Sequence, residues 1–248
     1  GFGINLIVNK SNSKLDYQLK VCVEEKVKYV ITSLGNPKDV IDKCKKAGVK
    51  VLCDVVDLEY AKKVEGLGAD GIIAVNSQAG GHCGPMSVQE LIPLLVKECS
   101  IPVISAGGVA SKTHVDQALN LGAAGVSVGT VFIATEESDV SDDYKNAIVQ
   151  HGAKDIVLTK KLSGSPSTVI NTPFVKEMGT KENFMELLIR KFPRFKKYLK
   201  MIVMYRGMKS VEKAAFGSTY KTIWCAGPVI EHVNKIKSVQ QVVKDLTE

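Results

Sequence analysis

Three segments of the chain leave a helix-like pattern in the same way. KAGVKVL (46–52), LGADGII (67–73) and LGAAGVSV (121–128) each place a glycine after the helical stretch and then enter an apolar run. A glycine there takes the left-handed conformation that ends a helix. The β-rich runs are Phe2–Val8, Tyr29–Ser33, Val49–Asp54, Gly71–Val75, Pro102–Ala106 and Gly125–Val128. Helical patterns fill the intervals: about Lys14–Glu25, Pro37–Lys46, Leu58–Leu67, Val88–Cys99 and Lys112–Leu121. Asn36 and Pro37 suit a helix start, and Ser87 with Glu90 three residues on reads as a capping box. Strands that alternate with helices and read as continuous apolar runs imply a parallel sheet, covered on both sides.

Such βα units close into a barrel or stack as an open, doubly wound sheet. The sequence holds six of them, and a closed barrel needs eight. The first run begins without a leading loop. The expectation is therefore an α/β fold of the (βα)8 TIM-barrel type, with the two N-terminal units missing from the visible chain. An open six-stranded sheet is the alternative.

Beyond Glu136 the texture changes. DVSDDYKNAIVQHG reads as helix and DIVLTKKLSGSPSTVI as extended chain around a turn. From Thr180 onward KENFMELLIRKF, FKKYLKMIVMYRG, VIEHVNKI and SVQQVVKDL all read as helical. Residues 1–170 are expected to form the barrel, showing its strands three to eight, and residues 171–248 a smaller, mainly helical lid beside it.

Composition narrows the function classes. The net charge is +7, much of it in RKFPRFKKYLK (190–200) and on helix faces such as DKCKKAG. No nucleic-acid motif accompanies it, so solvated helix faces explain it, with steering of a phosphorylated or acidic substrate as a lesser use. Six scattered cysteines with no CxxC pair suggest reduced thiols in a cytoplasmic protein. The apolar runs are too short for a membrane span.

In βα barrels the loops at the carboxyl ends of the strands carry the chemistry. After the fifth and sixth visible strands come Ala106-Gly107-Gly108-Val109 and Gly129-Thr130. Glycines let backbone N–H groups approach an anion, and the helix that follows adds its positive end. The phosphate site of such barrels lies in the loops after strands seven and eight, which these become if two units precede. Thr130 adds a hydroxyl donor. Their plain reading is tight turns.

After the fourth visible strand comes Ser77-Gln78-Ala79-Gly80-Gly81-His82-Cys83-Gly84. His82 titrates near neutrality and can act as base, acid or donor. The other histidines lack ligand spacing, so no metal site is expected. Cys83 has no nucleophile's partner in sequence and reads as a small loop residue. Asn5 is a polar residue in an apolar strand, suited to a structural network or to a heteroaromatic ligand, and Gln78 invites the same reading.

FGINL, AVNSQAGGHCG, VISAGGVA and GVSVGTVFIATEES occur in that order and together resemble the nitronate monooxygenase family, formerly the 2-nitropropane dioxygenases. Its superfamily includes FMN-dependent enoyl-acyl-carrier-protein reductases. The resemblance runs from Phe2 to about residue 170 and, more weakly, to TIWCAGPV, where Pro228 replaces a family glutamine. At the strand end where the family often has a lysine, the chain has Cys53 and Asp54.

The resemblance implies an FMN-binding barrel with a helical lid. Gly107, Gly108, Gly129 and Thr130 would hold the FMN phosphate, and Asn5 and Gln78 would touch the ring. Gly80 and Gly81 would bring the loop close to the flavin, and His82 would be the catalytic residue facing the substrate. The activity implied is oxidation of alkyl nitronates with O2. The alternatives are an enoyl-thioester reductase using NAD(P)H, which would meet an acidic acyl-carrier protein, a flavin-free phosphate-binding isomerase or lyase, and a non-catalytic binding module. The partner expected is a small molecule, neither nucleic acid nor membrane, and a homodimer is left open.

Overall fold

Apolar side chains recurring at helical spacing, and β-branched runs between them, build the first layer of structure. In a computed structural model of the chain, the described residues are 1–9, 12–161, 165–180, 205 and 223–248. They fall into two compact units that interleave along the sequence. The first comprises Gly1–Asn76, Gly84–Ala106 and Gln117–Ser127; the second comprises Ser77–Cys83, Gly107–Asp116 and Val128–Glu248.

The first unit holds a six-stranded sheet. Its strands are β1 (Gly3–Ile7), β2 (Tyr29–Ser33), β3 (Lys50–Val55), β4 (Gly71–Val75), β6 (Val103–Ala106) and β7 (Gly125–Ser127), paired in that order. Every pairing is parallel. Each new strand joins the same edge, so the sheet is singly wound. A doubly wound sheet reverses direction at a switch point, and this one does not. The result is a half-barrel of parallel strands.

The helices are α1 (Leu15–Glu24), α2 (Lys38–Lys46), α3 (Leu58–Gly66), α4 (Val88–Glu98) and α5 (Lys112–Asn120), the last beginning in the second unit. Their apolar stripes, among them Leu19, Ile41, Val64 and Leu91, merge with Val30, Val51 and Ile72 of the strands into one core. Each such side chain removed from water contributes about 1.5–3 kcal/mol. The helix exits behave as expected: Gly48, Gly68 and Gly122 have φ of +73°, +90° and +97°. Asp70 locks one exit in place, accepting from the Val51 N–H at 2.8 Å.

Coverage on both sides was expected, and here the structure differs. In β1–β3 the helix-facing residues Leu6, Val30 and Val51 are buried, whereas Asn5 is exposed and Ile31 and Leu52 are partly exposed on the opposite face. Winding in one direction puts all crossover helices on one side.

The second unit has its own sheet: β5 (Gly81–His82), β8 (Ile156–Thr159) and β9 (Ser167–Ile170), antiparallel in the order β5-β9-β8. Around it lie α6 (Thr130–Ile133), α7 (Asp142–Gln150), α8 (Pro173–Met178) and α9 (Val239–Thr247). Ala134, Tyr144, Ile148, Ile170 and Ile230 form a core there. The helix expected at DVSDDYKNAIVQHG and the extended pair in DIVLTKKLSGSPSTVI are both present. VIEHVNKI, expected as helical, is helical only as a short 3-10 segment over Pro228–His232. Most of the helical run expected between 181 and 222 lies outside the described residues.

Candidate functional site

The loop from β4 toward α4 is not the bare turn that its glycines suggested. Gly81 and His82 form β5 and pair with Thr168 and Ser167 of β9. The Thr168 hydroxyl donates to the Ala79 carbonyl and holds the loop from below. His82 is therefore half-buried, and loss of water pushes its imidazole below the ordinary 6.5. It is neutral at neutral pH and can accept a proton or hydrogen-bond an acceptor.

Gly80 has a packing reason to be glycine. A Cβ there would lie 2.8 Å from Gly227 N and 2.8 Å from Thr130 Oγ1. The Gly227 N–H donates to Thr130 Oγ1 at 3.2 Å. Thr130 thus braces the 225–227 segment with its oxygen and keeps its own proton for a second partner. Gly81, at φ +76°, faces Cys225. The sequence did not mark Thr168, which arrives through strand pairing; Cys225 and Gly227 lie in TIWCAGPV, which the resemblance reached weakly and without a role for either residue.

Gly107 and Gly108 have φ of +109° and +79°, conformations that glycine adopts freely. A Cβ on Gly108 would fall 2.1 Å from Gln78 Oε1. So Gln78, Gly80, Gly108, Thr130 and Gly227 come together within the second unit. Gly129 is different. Its φ is −127° and a methyl there would touch nothing within 4 Å. Neither a positive φ nor protein packing demands a glycine at that position, and the open space beside it leaves room for a ligand to approach the backbone. This uncovered peptide beside a hydroxyl with a proton to give fits a phosphate-bearing cofactor.

In the first unit Asn5 sits exposed on β1 and meets Ser33 in a polar contact. All six cysteines are free thiols. Burial raises Cys83 and pushes Cys225 up to about 11, so neither is a thiolate nucleophile at neutral pH.

A singly wound parallel sheet with crossover helices, and glycine turns after its last strands, defines an α/β fold of the βα-barrel-like class. Comparison with known proteins gives the family. The chain belongs to the nitronate monooxygenase family, whose model matches residues 3–248. A nitronate monooxygenase of Paraburkholderia phytofirmans is 36% identical over 156 residues, covering 59% of this chain and 43% of its own. A (3aS,4S,5R,7aS)-5-hydroxy-7a-methyl-1-oxo-octahydro-1H-indene-4-carboxyl-CoA dehydrogenase of Rhodococcus jostii is 33% identical over 187 residues, covering 75% of this chain and 52% of its own. The solved structure of FabK from Thermotoga maritima superposes with a TM-score of 0.83 at 32% identity, over 99% of this chain and 74% of that one. The chain spans about half the length of the curated relatives it matches. Among the described residues no helix is long and apolar enough to cross a membrane.

Proposed function

We propose that the protein is an FMN-dependent oxidoreductase that oxidises alkyl nitronates with O2. The family is one of flavin-dependent enzymes. The observation that carries the reading is the convergence of Gln78, Gly80, Gly108 and Thr130 in one cluster, with the Gly129 backbone left uncovered. In this reading the six strands are the third to eighth of a closed eight-stranded barrel, residues 1–170 supply that barrel, and residues 171–248 supply a lid.

Gly107, Gly108, Gly129 and Thr130 would hold the FMN phosphate. Asn5 and Gln78 would meet the ring system, with Gly80 and Gly81 shaping the loop beside it. Bound FMN would supply the redox chemistry, taking two electrons from the substrate and returning them to O2. His82, neutral because it is desolvated, would accept a proton from the substrate or hydrogen-bond its reacting group. The net charge of +7 favours the approach of an anionic nitronate. Free cysteines throughout fit a reducing, cytoplasmic setting.

A second reading has its own support. The Rhodococcus relative acts as a dehydrogenase on a carboxyl-CoA substrate, so an enoyl or related acyl thioester handled with NAD(P)H is the alternative. Two assays on the full-length protein decide. Oxygen uptake with propionate 3-nitronate, without NADPH consumption on crotonyl thioester, is the expected result. NADPH consumption alone would replace the nitronate reading with the thioester one, and a protein that shows no flavin absorption after reconstitution would overturn both.

A further inference from the structure

Three polar side chains share the face of β1, β2 and β3 that points away from the helices, one at the middle of β1 and two near the carboxyl ends of β2 and β3, and the proposed function uses only the first of them. They are Asn5, Ser33 and Asp54. Ile7 pairs with Ser33 and Thr32 with Cys53, which brings Ser33 level with Asp54 on the face away from the helices. Ser33 Oγ lies 3.0 Å from Asn5 Oδ1 and 2.5 Å from Asp54 Oδ2.

A serine hydroxyl has one proton and can give it to only one of two acceptors. The other contact must be made with a proton from the partner. Two arrangements satisfy both contacts. With Asp54 neutral, its O–H donates to Ser33, Ser33 donates to Asn5 Oδ1, and the Asn5 NH2 is turned to the open face. With Asp54 ionised, Ser33 donates to the carboxylate, the Asn5 amide turns over to donate N–H to Ser33, and its carbonyl is turned to the open face. The proton that distinguishes the two states exchanges with water, so nothing else is consumed.

We propose that Asp54, acting through Ser33, is a positioning residue that decides whether Asn5 offers a ligand a hydrogen-bond donor or an acceptor. Neutral Asp54 gives a rim that donates to anionic or carbonyl groups; ionised Asp54 gives a rim that accepts and that repels anions. The ligand side of the inference rests on the reading of Asn5 as a flavin contact. A flavin ring edge offers mostly acceptor atoms and one N–H, so the donor state of Asn5 is the binding state.

Desolvation raises the Asp54 carboxyl above its ordinary 3.8, against the hydrogen bond from Ser33, which lowers it. The titratable neighbours that feel its charge are Cys53 on β3 and Tyr60 on α3. Burial pushes Cys53 up to about 11 and raises Tyr60, so both stay neutral while Asp54 titrates. β1 and β2 bring it no further charge, since Asn5 and Ser33 are uncharged, and Ile73, its register partner on β4, is apolar.

The test is the side-chain amide of Asn5 in 15N-labelled full-length protein, assigned by its loss in Asn5→Asp and followed by NMR from about pH 4 to about pH 8. The expected result is an inflection above the usual aspartate range. In Asp54→Asn, whose amide donates to Ser33 at every pH, the signal stays at its acid-limit position. Ser33→Ala, with undisturbed backbone resonances showing that it folds, uncouples Asn5 from pH. An Asn5 signal that does not titrate in the wild type, or that still titrates in Asp54→Asn, overturns the proposal. FMN titrated in parallel by its fluorescence should bind about three- to tenfold tighter on the acid side of the inflection, the worth of one hydrogen bond, and lose that dependence in Asp54→Asn. FMN that binds at no pH refutes the proposed function while the amide signal still judges the relay. FMN that binds wild type and Asp54→Asn with the same pH dependence refutes the relay alone.

Discussion

The protonation state of His82 is set by the strand that pairs with it. Pairing with β9 takes water away from the imidazole and holds it below its ordinary 6.5. The proton-accepting form therefore predominates at neutral pH. As pH falls through the His82 pKa that form is lost, and kcat/KM for a nitronate should drop with an inflection below 6.5. The same shift acts on stability. The unfolded chain takes up the proton first, at the ordinary value, so stability declines as pH falls from 6.5 and levels off below the folded pKa. His82→Ala should leave flavin absorption intact and cut turnover about 10²- to 10⁴-fold, the range of a general acid–base contribution. Steady-state rates on protein matched for flavin content check this; unchanged turnover removes His82 from the reaction. Gly108 makes a second test at this scale. Alanine there meets both a φ of +79° and Gln78 Oε1, so Gly108→Ala should lower stability by at least about 1 kcal/mol by thermal denaturation.

At the scale of elements, the capping box that opens α4 is complete. The Glu90 N–H donates to Ser87 Oγ at 3.3 Å and the Ser87 N–H donates to Glu90 Oε2 at 3.0 Å. Ser87→Ala should cost about 1 kcal/mol, read as a lower denaturation midpoint with an unchanged slope. This helix start was legible because both partners lie in one turn. Asn36 was legible for the same reason and accepts from the Lys38 N–H at 3.2 Å. β5 was not legible. Two residues carry no period, and what makes Gly81 and His82 a strand is Ser167 and Thr168, remote in sequence. VIEHVNKI is helical over less of its length than its apolar spacing suggested. Pro228 fixes the start, and the bonds that form, Ile230 N–H to Gly227 and Val233 N–H to Ile230, span three residues, so the segment closes as 3-10 before an α-helix can propagate. The site shows the same division. Glycines whose role depends on their own backbone, such as Gly107 and Gly108, could be read from their spacing after a strand. The Thr130–Gly227 brace and the Asn5–Ser33–Asp54 row could not, since each joins residues that only the fold makes neighbours.

For the whole molecule, the proposed phosphate site makes a prediction that separates the tail of the cofactor from its ring. A ligand that binds only the folded chain stabilises it by about 2.7 kcal/mol at a hundredfold excess over its Kd. For a chain of this size each kcal/mol raises Tm by about 2–4 °C, so saturating FMN should shift the midpoint by roughly 5–10 °C. Riboflavin has the same ring without the phosphate. If Gly107, Gly108, Gly129 and Thr130 act on the phosphate, riboflavin at equal concentration should give a small fraction of that shift, and raised salt should weaken the FMN effect more than the riboflavin one, because part of the FMN attraction comes from the basic balance of the chain. Equal shifts from the two ligands would mean that the ring alone is held, and the glycine turns after β6 and β7 would then be turns and nothing more. Calorimetry or circular dichroism, neither of them read through flavin emission, measures both shifts on the same footing.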